Sequence, residues 1–169
     1  GASPARRIAI VVQRYGTEVT GGAEQLARLV AQQLARRNDV TIVTTCALDH
    51  RTWRDHFPPG ESNDGGVRVL RFRVDRERAP DFDRWVPDFY RSAPHTPAAE
   101  EDFLQRQGPV SSALLSYLSE HGSSFDAIIF YTYLYSPTVH GLPRVADRSI
   151  LVPTAHDEPA IYLGIYRHV

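Results

Sequence analysis

The sequence contains no lysine and no methionine, and it has a single cysteine, Cys46. All 19 basic residues are therefore arginine, and 20 acidic residues bring the net charge to -1. A chain this close to neutrality lacks the basic excess that nucleic-acid binding needs, so we expect no nucleic-acid partner. The absence of lysine also excludes a Walker phosphate-binding loop, in which a lysine contacts the phosphates.

One thiol cannot form an internal disulfide, which is typical of proteins from a reducing compartment. No apolar run approaches the roughly 18 residues that span a bilayer, and residues 1–4 lack the features of a signal peptide. These absences predict a cytoplasmic protein. His50 and His56 are not spaced as a helical ligand pair, and Cys46 has no second thiol, so we expect no metal site.

The lack of methionine extends to the first position, so Gly1 is not a natural start. At the other end, residues 161–169 have the spacing of a half-apolar helix without a cap or a polar tail. We therefore expect that the chain is part of a longer protein. The alternative is a removed tag at one end and a docked terminal helix at the other.

Strands and helices are predicted to alternate along the chain, from apolar or period-two runs and from three- and four-residue apolar spacing respectively. The predicted strands are 7–12, 40–45, 67–74, 125–131 and 148–154. Helices are predicted over 23–38, over 98–120 with a break at Gly108-Pro109, and over 136–146. Residues 46–66 are expected to form a loop, with or without a short helix, and residues 75–97 carry no prediction. This order predicts an α/β fold, with a Rossmann-like, doubly wound, mostly parallel sheet flanked by helices and forming one domain over 1–169.

Ligands of doubly wound sheets bind beyond the carboxyl ends of the strands, in this chain the loops within 13–22, 45–56, 131–140 and 154–159. The first of these loops carries Arg14, Gly21 and Gly22 and leads into a helix. Glycine lets the backbone approach a ligand, and a helix N-terminus offers free N–H groups and partial positive charge to a phosphate. The glycines do not match the dinucleotide-binding spacing. A plain turn before a helix is the alternative.

A histidine, His156, follows the last predicted strand. Its imidazole can hydrogen-bond a sugar hydroxyl or a phosphate oxygen and changes protonation near neutral pH. The neighbouring Asp157 or Glu158 would orient it or cap the next helix. The alternative is an ordinary surface histidine beside a helix cap, and both interpretations stay open.

Three tyrosines alternate at the end of the fourth predicted strand, at Tyr131, Tyr133 and Tyr135, with His140 nearby. Aromatic faces with hydroxyl groups suit sugar binding. Core packing at a strand end accounts for them equally well, so the pattern alone does not choose between these roles.

Three segments resemble glycosyltransferase family 4, whose members have the GT-B fold of two Rossmann-like domains facing a cleft. The segments are the strand Ile8–Val12, the loop Gly21-Gly22-Ala23-Glu24 that opens a helix, and Thr154-Ala155-His156-Asp157-Glu158 after a late strand. Thr44-Thr45-Cys46-Ala47-Leu48-Asp49, followed by Thr52-Trp53, is similar to a bacterial branch of that family. The resemblance covers most of the chain.

The resemblance implies transfer of a sugar, with retention of configuration, from a nucleotide-sugar to a glycan, lipid or small-molecule acceptor. It implies no metal and no other cofactor. It places Gly21-Gly22 near the donor diphosphate and the acceptor, and His156 against the transferred sugar. Arg14, Asp157 and Tyr133 lie in the same predicted loops, and we include them as candidate residues for binding the donor phosphate or the acceptor.

In that family the N-terminal domain mainly binds the acceptor, and the C-terminal domain holds the nucleotide-sugar and carries a pair of glutamates. The resemblance therefore implies that this chain corresponds to the N-terminal domain, that its partner is a C-terminal domain of the same protein, and that it folds but turns over no donor by itself. It is compatible with peripheral membrane association of the full-length protein. Two alternatives stay open, a non-catalytic Rossmann-like binding module and another GT-B-like enzyme such as a nucleotide-sugar epimerase.

Overall fold

The computed structural model of the chain describes Gly1 and residues 3–169. The strands are β1 (Arg7–Val11), β2 (Asp39–Thr45), β3 (Gly60–Asp64), β4 (Val67–Phe72), β5 (Ala127–Tyr131) and β6 (Ser149–Val152). The α-helices are α1 (Gly22–Leu34), α2 (Phe82–Arg91), α3 (Pro97–Gln107), α4 (Ser112–His121) and the single turn α5 (Ser136–Val139). Short 3-10 segments lie at Gly122–Ser124, Leu142–Arg148, Pro159–Tyr162 and Gly164–Tyr166.

The strands form one six-stranded sheet in the order β3-β4-β2-β1-β5-β6. All neighbouring pairs are parallel except β3 with β4. The central strand β1 is buried on both faces, and its Val11 lies opposite Val43 on one side and Phe130 on the other. The structure confirms the predicted α/β class with a mostly parallel, Rossmann-like sheet.

Helices cover both faces of the sheet. On one face, Ala27 and Ala31 of α1 are fully buried, because small side chains let the helix backbone lie close to the β-branched residues of β1 and β2. On the other face, Leu114 and Leu118 of α4 pack against Phe130. The burial of both faces explains why the strands are nearly continuous apolar runs.

A third apolar cluster lies beside the sheet and is largely aromatic. Phe89 of α2 stacks on Phe103 of α3, with ring centroids 5.1 Å apart. Tyr133, which follows β5, and Tyr166 near the C-terminus belong to the same cluster. The cluster therefore attaches the helical segment 82–107 and the last residues to the loop that follows β5.

The break predicted in the helical region 98–120 is confirmed. Thr96 caps α3 by accepting a hydrogen bond from the Ala99 N–H at 3.1 Å, with Pro97 in the first turn. The helix ends at Gly108, whose φ of 61° is readily adopted by glycine. Ser111 then caps α4 through the Leu114 N–H.

Three local predictions are wrong. Residues 46–66 are not only a loop, because 60–64 form the edge strand β3; its exposed polar sequence has no apolar alternation to reveal it. The helix predicted over 136–146 is one α-turn followed by a kinked 3-10 segment, with Pro143 inside it. Residues 161–169 form 3-10 turns and not a continuous helix.

Asp64 at the end of β3 ties the sheet edge to α1, and its replacement tests that link. Its carboxylate accepts hydrogen bonds from Tyr15 Oη at 2.6 Å and from Arg28 Nε at 2.9 Å. Burial alone would raise the pKa of the Asp64 carboxyl, but the hydrogen bonds from Arg28 and Tyr15 outweigh it and hold the pKa below its ordinary value of 3.8. Because the folded pKa is depressed, this carboxylate stabilises the fold above the unfolded pKa and loses that effect as the pH falls through the folded pKa.

Asp64→Asn is therefore expected to lower the free energy of unfolding at pH 7 by about 1–3 kcal/mol. It should also flatten the loss of stability below about pH 4. Urea unfolding from pH 2 to 7 measures both effects. Asp83→Asn is the control, since that carboxylate is 88% exposed in its pair with Arg78; equal behaviour of the two variants would contradict the assigned role.

Candidate functional site

A cleft of about 360 Å³ lies at the carboxyl edge of the sheet. The four loops singled out in the sequence all contribute to it. The loop after β1 and the start of α1 supply Gln13, Arg14, Gly21, Ala23 and Glu24, the loop after β2 supplies His50, the segment after β5 supplies Thr132, Leu134 and Tyr135, and the segment after β6 supplies Thr154, His156 and Glu158. The parallel topology explains this convergence, since the strands that precede these loops all end at the same edge.

The N-terminus of α1 opens into this cleft. Gly21 is the N-cap residue and makes no side-chain capping bond. The first helical hydrogen bond runs from the Gln25 N–H to the Gly21 carbonyl at 2.9 Å. Within the described part of the chain, the N–H groups of Gly22, Ala23 and Glu24 have no acceptor. Such N–H groups, with the helix dipole behind them, form a site for an anion.

Arg14 lies beside this helix end, and its side chain is 9% exposed. Its Nε donates to Glu24 Oε1 at 2.6 Å, and its Nη1 donates to the Leu48 carbonyl at 2.8 Å. Gln13 Nε2 donates to the same Glu24 oxygen at 2.9 Å. Arg14 Nη2 has no partner among the described residues. The guanidinium is thus oriented by two groups of the protein, Glu24 and the Leu48 carbonyl, and keeps one N–H₂ for a ligand of the cleft.

Gly21 makes this arrangement possible. A Cβ at this position would lie 2.1 Å from Glu24 Oε2 and 2.7 Å from Arg14 Nη2, closer than nonbonded atoms approach. Its φ of -69° is an ordinary one, so space and not backbone freedom requires the glycine. At Gly22, by contrast, a Cβ would meet nothing within 4 Å.

The two glycines should therefore respond differently to alanine. Gly21→Ala displaces the buried Arg14–Glu24 pair and is expected to destabilise the fold by about 1–3 kcal/mol. Gly22→Ala is expected to be neutral or to stabilise by up to about 1 kcal/mol, because alanine costs less conformational entropy than glycine in a helix. Thermal or urea unfolding of the two variants measures the difference, and equal stabilities would contradict the packing described at Gly21.

Strained backbone is concentrated at the cleft. Thr132 and Thr154 follow β5 and β6 and have positive φ angles of 67° and 46°. A β-branched residue rarely adopts this conformation, which costs about 1–3 kcal/mol and is common at binding sites. The Thr132 carbonyl accepts the Thr138 hydroxyl at 2.7 Å, which anchors the turn. The turn at Thr132 leads to Leu134 and Tyr135, and the turn at Thr154 leads to His156, and these three residues line the cleft.

The predicted site residues are only partly brought together. Arg14, Gly21 and His156 line the cleft, and the His156 side chain is exposed. Asp157 does not line it, because its carboxylate accepts the Tyr162 hydroxyl at 2.6 Å on the surface. Tyr133 does not line it either, because its ring is buried in the aromatic cluster. Gly22 occupies the first position of α1 without lining the cleft through its own atoms.

The other tyrosines of the predicted aromatic group divide between core and cleft. Tyr131, the last residue of β5, is buried in the apolar cluster between the sheet and α1, as a packing role predicts. Tyr135 lines the cleft, and its ring makes an edge-to-face contact with Trp53 at 5.1 Å between centroids. His140 lies elsewhere, bonded through Nδ1 to Ser136 at 2.7 Å and through Nε2 to Glu101 at 3.1 Å.

Several residues that line the cleft were not predicted from the sequence to contact a ligand. Glu24 carried a detectable pattern, a carboxylate three residues after the N-cap position, which is the spacing of a capping residue. Glu158 was predicted only to orient His156 or to cap a helix. Thr132 and Thr154 lie in loops that the sequence indicated, but their positive φ angles could not be predicted, because threonine rarely adopts them.

A larger cavity of about 840 Å³ lies on the other side of the segment 158–162, between the start of α3 and the last residues. Its acidic groups already have partners within the protein. Glu100 accepts the N–H groups of Gly164 at 3.0 Å and Ile165 at 2.6 Å, and Glu101 is paired with His140 at 2.9 Å. The smaller cleft is the better candidate site because it combines unpaired donors with a helix N-terminus.

Over Gly1 and residues 3–169, no three His, Cys, Asp or Glu side chains cluster in a way that could hold a metal ion. Over the same residues, no helix is long and apolar enough to cross a membrane. The fold is that of an α/β protein with a Rossmann-like sheet, and the cleft at the carboxyl edge of the sheet is its candidate ligand site. Comparisons with protein-family models, curated proteins and solved structures found no match.

Proposed function

We propose that the chain is the N-terminal domain of a glycosyltransferase that transfers a sugar, with retention of configuration, from a nucleotide-sugar to a glycan, lipid or small-molecule acceptor. The observation that carries the proposal is the convergence of the α1 N-terminus, Arg14 Nη2 and His156 on one cleft. Donors for a phosphate and a group for a sugar hydroxyl are thus placed together, as a nucleotide-sugar requires.

In this proposal the donor diphosphate binds against the free N–H groups of α1 and Arg14 Nη2. These donors are fixed before the ligand arrives, so they stabilise the negative charge that grows on the departing diphosphate without reorganisation. The Glu24 carboxylate lies beside Gly21 at this helix end, and its charge is offset by Arg14 at 2.6 Å.

His156 then contacts the sugar while the bond from the anomeric carbon to the diphosphate breaks and the acceptor oxygen bonds to that carbon. A diphosphate oxygen accepts the proton of the acceptor hydroxyl. This scheme uses positioning and electrostatic stabilisation and needs no protein nucleophile. The nucleotide itself is assigned to a C-terminal domain of the same protein, so the chain alone should bind weakly and transfer nothing.

Nucleotide release tests the proposal. The full-length protein is incubated with a panel of uridine, guanosine, adenosine and thymidine diphosphate sugars, each with and without a mixture of glycan and lipid acceptors. We expect release from one donor class that depends on the acceptor. Conversion of the sugar without release would indicate an epimerase, and an absence of both release and donor binding would overturn the proposal in favour of a binding module.

A further inference from the structure

Glu158 lines the cleft and makes no ion pair with the described residues. One carboxylate oxygen, Oε1, accepts a hydrogen bond from the Tyr133 hydroxyl at 2.6 Å, and this is the carboxylate's only bond to the described residues. The residue is half-buried and lines the cleft, and its second oxygen has no partner among the described residues. A partly buried carboxylate without a counter-ion is unfavourable unless it has hydrogen-bond donors, so this one is suited to receive donors from a ligand.

The group that holds Glu158 is itself rigid. Tyr133 is 5% exposed and packs edge-to-face against Tyr166, with ring centroids 4.9 Å apart. The Tyr166 hydroxyl donates to the Leu134 carbonyl at 2.9 Å. The Tyr133 hydroxyl thus holds the Glu158 carboxylate from the side of the aromatic cluster. The Tyr133 ring itself does not line the cleft.

The arginines around Glu158 are already paired. The charge of Arg78 acts on Tyr90, as that of Glu158 does, but Arg78 is bonded to Asp83 at 2.6 Å. Burial and then the Glu158 charge raise the pKa of Tyr90 to about 12, so this hydroxyl stays protonated at neutral pH. Arg14 and Arg78 act on Tyr135 together with Glu158, but Arg14 is paired with Glu24 and Arg78 with Asp83, so neither forms an ion pair with Glu158.

We propose that Glu158 binds hydroxyl groups of an uncharged sugar ring and that its charge rejects sugars bearing a carboxylate. Charge-assisted hydrogen bonds from hydroxyls to a fixed carboxylate are strong, and like charges brought together in a cleft repel. Tyr135, supported by Trp53, supplies an aromatic wall for the apolar face of the ring. This inference rests on the proposed function for one point, that the ring is the sugar of the donor.

The test uses matched ligands that do not depend on the nucleotide. Methyl glucoside, galactoside and mannoside are each titrated beside the corresponding methyl uronide, and nucleoside diphosphates are titrated separately, by NMR. The proteins are the wild type, Glu158→Gln, Tyr133→Phe and the control Glu120→Gln, whose side chain is 69% exposed on α4. Glutamine keeps the shape and the bond from Tyr133 but removes the charge.

We expect at least one neutral glycoside to bind, its uronide to bind about tenfold more weakly or not at all, and Glu158→Gln to weaken the glycoside about tenfold. The same variant should reduce the preference over the uronide, an effect that a purely structural role would not produce. Tyr133→Phe should act in the same direction but more weakly, and Glu120→Gln should change nothing.

Each other outcome is decisive. Nucleoside diphosphate binding without glycoside binding sensitive to Glu158 overturns this inference and leaves the proposed function standing. Glycoside binding sensitive to Glu158 without any nucleotide binding supports the inference and counts against the proposed function. Binding of neither ligand class overturns both.

Discussion

Replacing His156 by alanine is expected to lower the turnover of the full-length protein by about 100-fold or more, the usual effect of losing one transition-state hydrogen-bond donor. The free energy of unfolding should change by less than about 0.5 kcal/mol, because the side chain is exposed and has no bond to the described residues. Initial rates of nucleotide release and urea unfolding measure the two effects on the same preparation.

His168→Ala provides the matched control. This histidine is also exposed but lines the larger cavity instead of the cleft. Its replacement should leave turnover within a factor of two or so, as expected for a surface position away from the site. If His156→Ala and His168→Ala retain the same rate, His156 has no part in the reaction.

Arg14→Met is expected to cost about 3–5 kcal/mol of stability, because it leaves Glu24 charged and buried without its cation. The Glu24 side chain is 6% exposed and would keep only the amide of Gln13. The double variant Arg14→Met/Glu24→Met should recover much of this loss, since apolar residues can replace a buried ion pair at little cost. Urea unfolding of the wild type, of Arg14→Met and Glu24→Met singly, and of the double variant gives the coupling between the two residues.

Arg106→Met is the control for this cycle. Arg106 and Asp102 make a similar contact at 2.8 Å on the surface of α3, with side chains 35% and 52% exposed. Exposed pairs contribute about 0–1 kcal/mol, so this variant should be nearly neutral. An Arg14→Met variant no less stable than Arg106→Met would show that the cleft arginine is not held as described.

The regular part of the fold could be predicted because its cause is local. Apolar runs such as Ile8–Val12 must be covered on both faces, and the change to helical spacing at Ala23 marks the crossover to a parallel neighbour. The edge strand 60–64 could not be predicted, since it is exposed and polar and is defined by pairing with β4.

The position of the candidate cleft could be predicted from the sequence, but the residues that line it could be predicted only in part. Topology alone directs attention to the ends of the parallel strands, and this brought out Arg14, Gly21 and His156. Among the alternating tyrosines Tyr131, Tyr133 and Tyr135, the one that lines the cleft is determined by the turn that follows β5. The positive φ at Thr132 could not be foreseen, and the segment it begins buries Tyr133 and sends Tyr135 into the cleft.

The location of the ligand is the central claim, and chemical-shift mapping tests it most directly. The ¹⁵N-labelled protein is titrated with the nucleotide-sugar identified by nucleotide release, or with the full panel in turn. We predict that the largest shifts fall on the amides of Ala23 and Glu24 and on the Arg14 side chain, which line the cleft. Shifts confined to residues 90–101 and 162–168 would place the ligand in the larger cavity and contradict the account.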